Sequence, residues 1–422
     1  SAMTIIDQHT GYVKAIIGGR GTKTASLTLN RATDSTRQPG STFKIVSTYA
    51  AALNEKGMTL ATTYEDQPIT YDNGAPVNNA SGSFNGTTTI RTAIRNSVNT
   101  VAVQCFEDVT PELGLKYLDN FGFTTLAHGT EADTDANGNV YTDANLPTAI
   151  GGLTYGVKNV ELCAAYAAIA NGGNYIKPVY YTKILDHNGN VLIENNSVGR
   201  SVIKETTAYL LTSALEDVVQ NGTGTACQLD NMAVAGKTGT TDAYNDLWFV
   251  GYTPYYTCAV WSGYDGNQKI PEGDARNFHK TLWRKVMNRI HQGMEYKDFE
   301  VPDGIEQISI CADTGLLPRV GCPVTEEYFD VGTMPTEYCD QHFYEYDESQ
   351  DEDMEISDEN ATPTPDPENP DGTDNADGSG GDGTGGDGTG GDGTGGDGTG
   401  DGDIQYPDES GGDSGNDDIY YY

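Results

Sequence analysis

Hydrophobic and polar positions along the chain change period several times, and each change marks an element. Thr4-Ile5-Ile6-Asp7 and residues 12–17 read as the two strands of a hairpin, turning at His9-Thr10-Gly11 and closed by Gly18-Gly19. After the turn Arg37-Gln38-Pro39-Gly40, residues 41–54 predict an alanine-rich apolar helix; 89–106 predict a second buried helix. A third, over 157–171, stops at Gly172-Gly173. Residues 177–194 alternate about His187-Asn188-Gly189-Asn190 as a hairpin, and 206–219 return to helical spacing. Two strand-like runs, 247–252 and 256–263, follow residues 233–236. Residues 276–291 then predict a helix with an apolar stripe of Phe278, Leu282, Val286 and Ile290. Strands, helices, strands and a last helix, in that order, predict an α+β fold: an antiparallel sheet with helices segregated around it.

The pattern ends before the chain does. Residues 301–343 form a short module containing Cys and Pro, and from about Glu345 the chain is acidic and then repetitive, with Gly-Gly-Asp-Gly-Thr four times between Gly380 and Thr399. With so few apolar side chains, burial there cannot offset the entropy of ordering, so disorder is expected. The repeat lacks the alternating aliphatic residues of calcium-binding β-rolls. Of the 62 acidic residues, 25 lie from Glu345 onward, where no Lys or Arg occurs. The chain's −38 is therefore mostly a tail property, and the preceding 344 residues carry −13. That moderate acidity argues against nucleic acid as a partner, for which a basic stripe is expected. The expected division is 1–3 as a tag remnant (Ser1-Ala2-Met3), 4–295 as the main domain, 296–344 as a small Cys-containing module and 345–422 as the acidic tail. No apolar run approaches the roughly 18 residues of a membrane span. No charged n-region and apolar h-region stand at its start, so no signal peptide is expected in it. A fragment lacking an upstream anchor is expected.

Three short motifs then change the picture. Ser41-Thr42-Phe43-Lys44 opens a helix, where positions three apart share a face and the hydroxyl can approach the amine. Unpaired N–H groups at that helix start favour developing negative charge. Ser97-Val98-Asn99 follows 56 residues later, and Lys237-Thr238-Gly239-Thr240, preceded by Ala235-Gly236, follows 140 beyond that. Each alone has an ordinary reading: an N-cap serine, polar helix residues, a turn. The order, and Arg37-Gln38-Pro39-Gly40 before the first, make coincidence implausible.

With these motifs, residues of about 4–295 resemble the transpeptidase domain of class A, high-molecular-weight penicillin-binding proteins. The resemblance extends to Asn30-Arg31-Ala32, Gly151-Gly152, Tyr155-Gly156-Val157, Ala164-Ala165-Tyr166, Ala170-Asn171-Gly172-Gly173, Gly222-Thr223-Gly224, the run Asp246-Leu247-Trp248-Phe249-Val250-Gly251-Tyr252-Thr253-Pro254, and Trp261-Ser262-Gly263-Tyr264-Asp265. It implies the penicillin-binding transpeptidase/serine β-lactamase-like fold, a five-stranded antiparallel sheet flanked by helices. It also implies a peptidoglycan D,D-transpeptidase with carboxypeptidase side activity, working through a Ser41 acyl-enzyme on stem peptides ending in D-Ala-D-Ala and trapped by β-lactams. The implied roles are Ser41 nucleophile, Lys44 base and Ser97 proton relay. Asn99, Lys237, Thr238, Gly239 and Thr240 would bind substrate, and Ser41 and Thr240 N–H groups would form the oxyanion hole. Gly239 would leave room for the acyl chain. The full-length protein is expected at the extracytoplasmic face of the bacterial membrane, with an anchor and a glycosyltransferase domain upstream.

One departure separates target from β-lactamase. No Glu-x-x-Leu-Asn segment lies between the second and third motifs; the nearest lookalike, Glu112-Leu113-Gly114-Leu115-Lys116, carries Lys in place of Asn. Slow deacylation is therefore expected. A non-catalytic β-lactam sensor or scaffold on the same fold is the alternative, which intact motifs argue against. Seven cysteines leave at least one unpaired; Cys163 and Cys258, in apolar surroundings, are expected as buried thiols. Cys311, Cys322, Cys339 and His342 could bind zinc, form a Cys322–Cys339 disulfide or stay free, the spacing matching no standard finger. No metal or cofactor is assigned.

Overall fold

The computed structural model describes residues 1–342 with the exception of Ser197. The tail expected from 345 lies outside the described residues. In chain order the elements that position the site begin with β1 (Ala2–Ile6), β2 (Val13–Ile17), α1 (Ala50–Glu55), α2 (Ile90–Asn96), α3 (Asn99–Val109) and α4 (Pro111–Asn120). There follow α5 (Asn159–Ala170), α6 (Glu205–Asn221), β3 (Ala235–Thr240), β4 (Asp246–Tyr252), β5 (Thr257–Gly263) and α7 (Phe278–Ile290). A final hairpin is formed by β6 (Ile305–Cys311) and β7 (Val324–Asp330).

The five strands β1–β5 make one antiparallel sheet in the order β3-β4-β5-β1-β2. The first strand thus closes on the last, with Met3 opposite Val260 and Ile6 opposite Thr257. Ala2 and Met3, expected as part of a tag remnant, occupy β1 and are buried. The pleat sends alternate residues to opposite faces. Ile5, Phe249, Cys258 and Val260 pack with Trp283 and Met287 of α7, the Phe249 and Trp283 rings 4.9 Å apart edge to face. Val250, Ala259, Trp248 and Trp261 belong to the larger core shared with α5. Every residue of α5 but Ala170 is buried, because this helix lies between the sheet and the helical lobe, and a helix covered all round needs no polar face. Thr4 Oγ1 and Asn159 Oδ1, 2.6 Å apart, satisfy each other inside that layer. Cys163 and Cys258 are buried free thiols, as expected.

Three predicted helices differ from expectation in ways that matter. The run over 41–54 is not one α-helix. It starts as a 3-10 turn (Gly40–Thr42), continues as a π-helical stretch (Ile45–Tyr49) and ends as α1. The run over 89–106 is broken at Ser97 into α2 and α3, since Ser97 takes a left-handed conformation (φ 59°, ψ 41°) that caps α2. In α7 the buried face is His279, Trp283 and Met287, and the expected stripe of Phe278, Leu282, Val286 and Ile290 flanks it. Trp283 offers the largest apolar surface, so the helix turns by one position to bury it, a gain of about 2–3 kcal/mol. The hairpin expected over 177–194 forms with shorter strands, Lys183–Leu185 and Val191–Glu194.

The β6–β7 hairpin docks on the body through a small cluster of Ile310 and Phe329 against Ala61, and through Ile305 and Tyr328 on the main core, the Tyr328 ring 5.5 Å from Tyr209 edge to face. Its principal polar anchor is Arg91 of α2, which donates through Nε and Nη2 to the two carboxylate oxygens of the buried Glu327, each at 2.6 Å.

Candidate active site

The site is built where the 3-10 turn at Ser41, the α2–α3 break and the edge strand β3 meet. Gly40 has φ +54°, and a Cβ on it would lie 2.8 Å from Thr240 O. Only glycine allows that turn to abut β3 in that conformation. The turn is held from several sides: Thr42 Oγ1 donates to Pro39 O (2.8 Å), Tyr166 Oη to Thr42 O (2.6 Å) and Trp248 Nε1 to Gln38 O (2.9 Å). Ser41 itself is half-buried and opens onto a cleft of about 460 Å³, whose lining includes Tyr71, Asn99, Gly152, Thr240 and Asn267.

Lys44 and Lys237 lie beneath this cleft, both fully buried. Lys44 Nζ donates to Ser97 O (2.7 Å), Val98 O (3.1 Å) and Asn99 Oδ1 (2.6 Å), with Ser97 Oγ at 3.4 Å. Lys237 Nζ donates to the same Ser97 Oγ at 2.8 Å and to Thr238 O at 3.3 Å. Burial pushes the Lys44 ammonium well below the usual lysine pKa, and the charge of Lys237 adds to the effect. Burial alone brings Lys237 down to about 7. The left-handed break at Ser97 is what presents its carbonyl and hydroxyl to both amines, local strain of the kind found at functional positions.

The eight expected site residues therefore come to one place but in two tiers. Ser41, Asn99 and Thr240 line the cleft. Lys44, Ser97 and Lys237 form a hydrogen-bonded chain below them. Among the described residues no hydrogen bond joins Ser41 Oγ to Lys44 or Ser97; Lys44 Nζ is instead turned to three oxygens at the α2–α3 break. Asn99 is held by its own partners: its Nδ2 donates to Asn78 O (2.6 Å) and its backbone N–H to Asn79 Oδ1 (2.8 Å). Thr238 shares a 2.7 Å hydroxyl contact with Thr223.

Gly239 differs from expectation. A Cβ there would lie 2.5 Å from Pro39 O and 2.8 Å from Thr42 Cγ2, so its missing side chain lets β3 close on the Ser41 turn. β3 pairs only with β4 in the sheet, leaving its other edge toward the turn and cleft.

Sequence reasoning singled out no role for Gln38, Tyr71 or Thr223. The Gln38 side chain clamps the cleft wall, donating to Leu153 O (2.6 Å) and accepting from Leu153 N–H (2.9 Å). Gly151, at φ +83°, would drive a Cβ to 2.4 Å from Gly40 O, and the Gly151-Gly152 pair was the signal for this wall. Tyr71 carried no sequence signal. Glu112, in the Glu-Leu-Gly-Leu-Lys lookalike, is exposed on α4 and is not part of the cleft lining. Away from the cleft, one group among the described residues can hold a metal: Cys311, Cys322, Cys339 and His342.

This geometry can be set beside known proteins. The family described as "Penicillin binding protein transpeptidase domain" matches residues 1–288, and "Penicillin-binding protein 1A, C-terminal domain" matches 301–344. Penicillin-binding protein 1A of Clostridium tetani is 33% identical over 359 residues, covering 81% of this chain and 44% of that protein. Its namesake from Clostridium novyi is 36% identical over 361 residues, covering 81% and 40%. The chain thus spans less than half the length of these curated relatives. Among solved structures, penicillin-binding protein 1A of Haemophilus influenzae aligns with a TM-score of 0.67 at 24% identity, over 80% of this chain and 54% of the other. PonA1 of Mycobacterium tuberculosis in complex with penicillin V aligns at 0.60 and 26% identity, over 71% and 80%.

Proposed function

Because the chain belongs to the penicillin-binding protein transpeptidase family, we propose that it is a serine D,D-transpeptidase that cross-links peptidoglycan stem peptides. In this reading Ser41 Oγ attacks the carbonyl joining the last two D-alanines, and its proton passes to the neutral amine of Lys44. The tetrahedral oxyanion is met by the backbone N–H groups of Ser41 and Thr240, an effect often worth about 3 kcal/mol per donor. Ser97, between the two lysines, relays a proton to the departing amine, and the terminal D-alanine leaves. The Ser41 ester is then opened by an amine of a second stem peptide, which forms the cross-link and returns the hydroxyl; water in its place gives carboxypeptidase activity. Asn99 binds the substrate amide, the lysine and threonines of the β3 motif bind its carboxylate, and the free edge of β3 pairs with its backbone. A β-lactam enters as the donor does and stays as a Ser41 ester. The named complex of PonA1 with penicillin V supports that ligand class.

The observation that carries the reading is the convergence of two buried lysines, from elements 193 residues apart, on the single hydroxyl of Ser97 beneath the Ser41 cleft. Burial of both amines supports a neutral base, since desolvation penalises the charged form. The same reading divides the chain into the transpeptidase domain (4–295), the Cys-containing module (296–344) and the acidic tail (345–422). In the whole protein an upstream anchor and glycosyltransferase domain would hold it at the extracytoplasmic membrane face. Among the described residues no helix is long and apolar enough to cross a membrane.

The test is incubation with a fluorescent penicillin followed by intact-mass measurement. One covalent adduct per chain is expected on the wild type and none on Ser41→Ala; a wild type that stays unlabelled refutes the proposal.

A further inference from the structure

The module that follows α7 is anchored to the body at its hairpin, through Arg91–Glu327 and through Ile305 and Tyr328 on the main core. Its own apolar cluster is small, Ile310 and Phe329 with Ile308, Met334 and Ala61, and a short two-stranded module of this kind commonly relies on an added staple. Three separate stretches of it nonetheless converge on one point. Cys311 ends β6, where a tight turn follows (Gly315 N–H to Cys311 O, 2.9 Å). Cys322 lies in the connection to β7, and the Arg319 N–H donates to its sulfur at 3.2 Å. Cys339 and His342 come from the segment after β7, which is pinned to the first turn by Cys339 N–H to Leu317 O (2.8 Å).

The four donor atoms lie within 4.8 Å of one another, and none of the three cysteines is in a disulfide. His342 Nδ1 sits 3.5 Å from Cys311 Sγ and 3.4 Å from Cys339 Sγ. Tetrahedral zinc, with bonds of about 2.3 Å to sulfur and about 2.0 Å to nitrogen, sets its sulfur–nitrogen edges at about 3.5 Å. The other ring nitrogen, Nε2, lies 3.3 Å from Asp313 Oδ2. A carboxylate there fixes the Nε2–H tautomer and leaves the Nδ1 lone pair facing the sulfurs, the outer-sphere arrangement that metal-bound histidines use. Three thiolates and an imidazole select a borderline-soft ion over calcium or magnesium.

We infer that Cys311, Cys322, Cys339 and His342 form a structural zinc site that closes the module after β7. All four positions are filled by protein, so the site holds its ion without an open coordination position for chemistry. It lies outside the Ser41 cleft, and the inference does not depend on the transpeptidase reading.

The test uses the whole 422-residue chain, purified under reducing conditions without chelator and desalted. Elemental analysis is expected to find about one zinc per chain, and chelator-stripped protein is expected to take up one equivalent from zinc sulfate. Cys322→Ser and His342→Ala should each lower zinc retention against a competing chelator by at least about tenfold, and Asp313→Asn by about 10- to 100-fold. Labelling of Ser41 by fluorescent penicillin should persist in all three. If the variants aggregate, cobalt(II) added to stripped wild-type protein gives the independent readout: the absorption bands of tetrahedral cobalt thiolate. Zinc-free purified protein that shows no saturable uptake of zinc or cobalt overturns the inference. So does an intact mass lower by two hydrogens with two alkylation-resistant thiols, the signature of a Cys322–Cys339 disulfide.

Discussion

Replacing Lys237 by Met should make the protein more stable at low pH while abolishing its reaction with penicillin. The unfolded chain protonates this amine below its ordinary pKa of 10.5, whereas burial lets the folded chain do so only below about 7. Between those values the unfolded state binds more protons, so the wild type gains stability as pH rises through that window. Below about 7 the full cost of burying the charge is present. At 1.36 kcal/mol per pH unit, the fall from 10.5 to about 7 corresponds to about 5 kcal/mol. Met is similar in shape and carries no charge, so it removes that cost. It also removes the 2.8 Å hydrogen bond to Ser97, worth about 2 kcal/mol for a charged donor. The net expectation is a variant about 3 kcal/mol more stable at pH 6. By pH 9 the burial cost has fallen to about 2 kcal/mol, the hydrogen bond of the now neutral amine is worth about 1 kcal/mol, and the difference should narrow to about 1 kcal/mol. Removing the charge of Lys237 also relieves Lys44, which it depresses, and this adds to the gain at low pH. Urea unfolding followed by the fluorescence of Trp248, Trp261 and Trp283 at pH 6, 7.5 and 9 measures the difference. A variant less stable than wild type at pH 6, or a difference that does not narrow toward pH 9, refutes the reasoning.

Ser97→Ala removes the hydroxyl shared by both amines and should slow penicillin acylation by about 10²- to 10⁴-fold in stopped-flow measurements, with a stability loss of about 1–3 kcal/mol because Lys237 loses that partner while buried. Gly239→Ala should cost about 1–3 kcal/mol and slow acylation as well, because the new methyl pushes β3 off Pro39 O and Thr42; thermal unfolding together with labelling rate reads both effects. Arg91→Met leaves the Glu327 carboxylate buried without its bidentate partner and should destabilise the fold by about 3–5 kcal/mol in urea. The double variant Arg91→Met/Glu327→Leu should recover most of that loss; no recovery would mean that the pair is not the cause.

Much of this molecule is written locally. The hairpin of β1 and β2, the strands β4 and β5, and helices α5 and α6 follow from period and punctuation, because each depends on residues within a few positions of one another. The three motifs and their order likewise pointed to the residues that meet at the site. Other features had no local cause. The break at Ser97 interrupts a run whose composition suits one helix, and it persists because Lys44 gathers the carbonyl groups it frees. The buried face of α7 was set by where Trp283 meets Phe249, a contact between the helix and the sheet face it covers. Gly239 reads as space for a ligand until the Ser41 turn is seen packed against it. The electrostatics of the site were the least legible. Lysine's ordinary pKa is a property of the side chain in water, and Lys237 is brought down to about 7 because the fold buries it, against a Ser97 hydroxyl 140 residues away in sequence. Sequence alone thus determined which chemical groups were available and in what local conformations most of them lie. The tertiary structure decided which of them lose solvent together, and proton affinity depends on that loss.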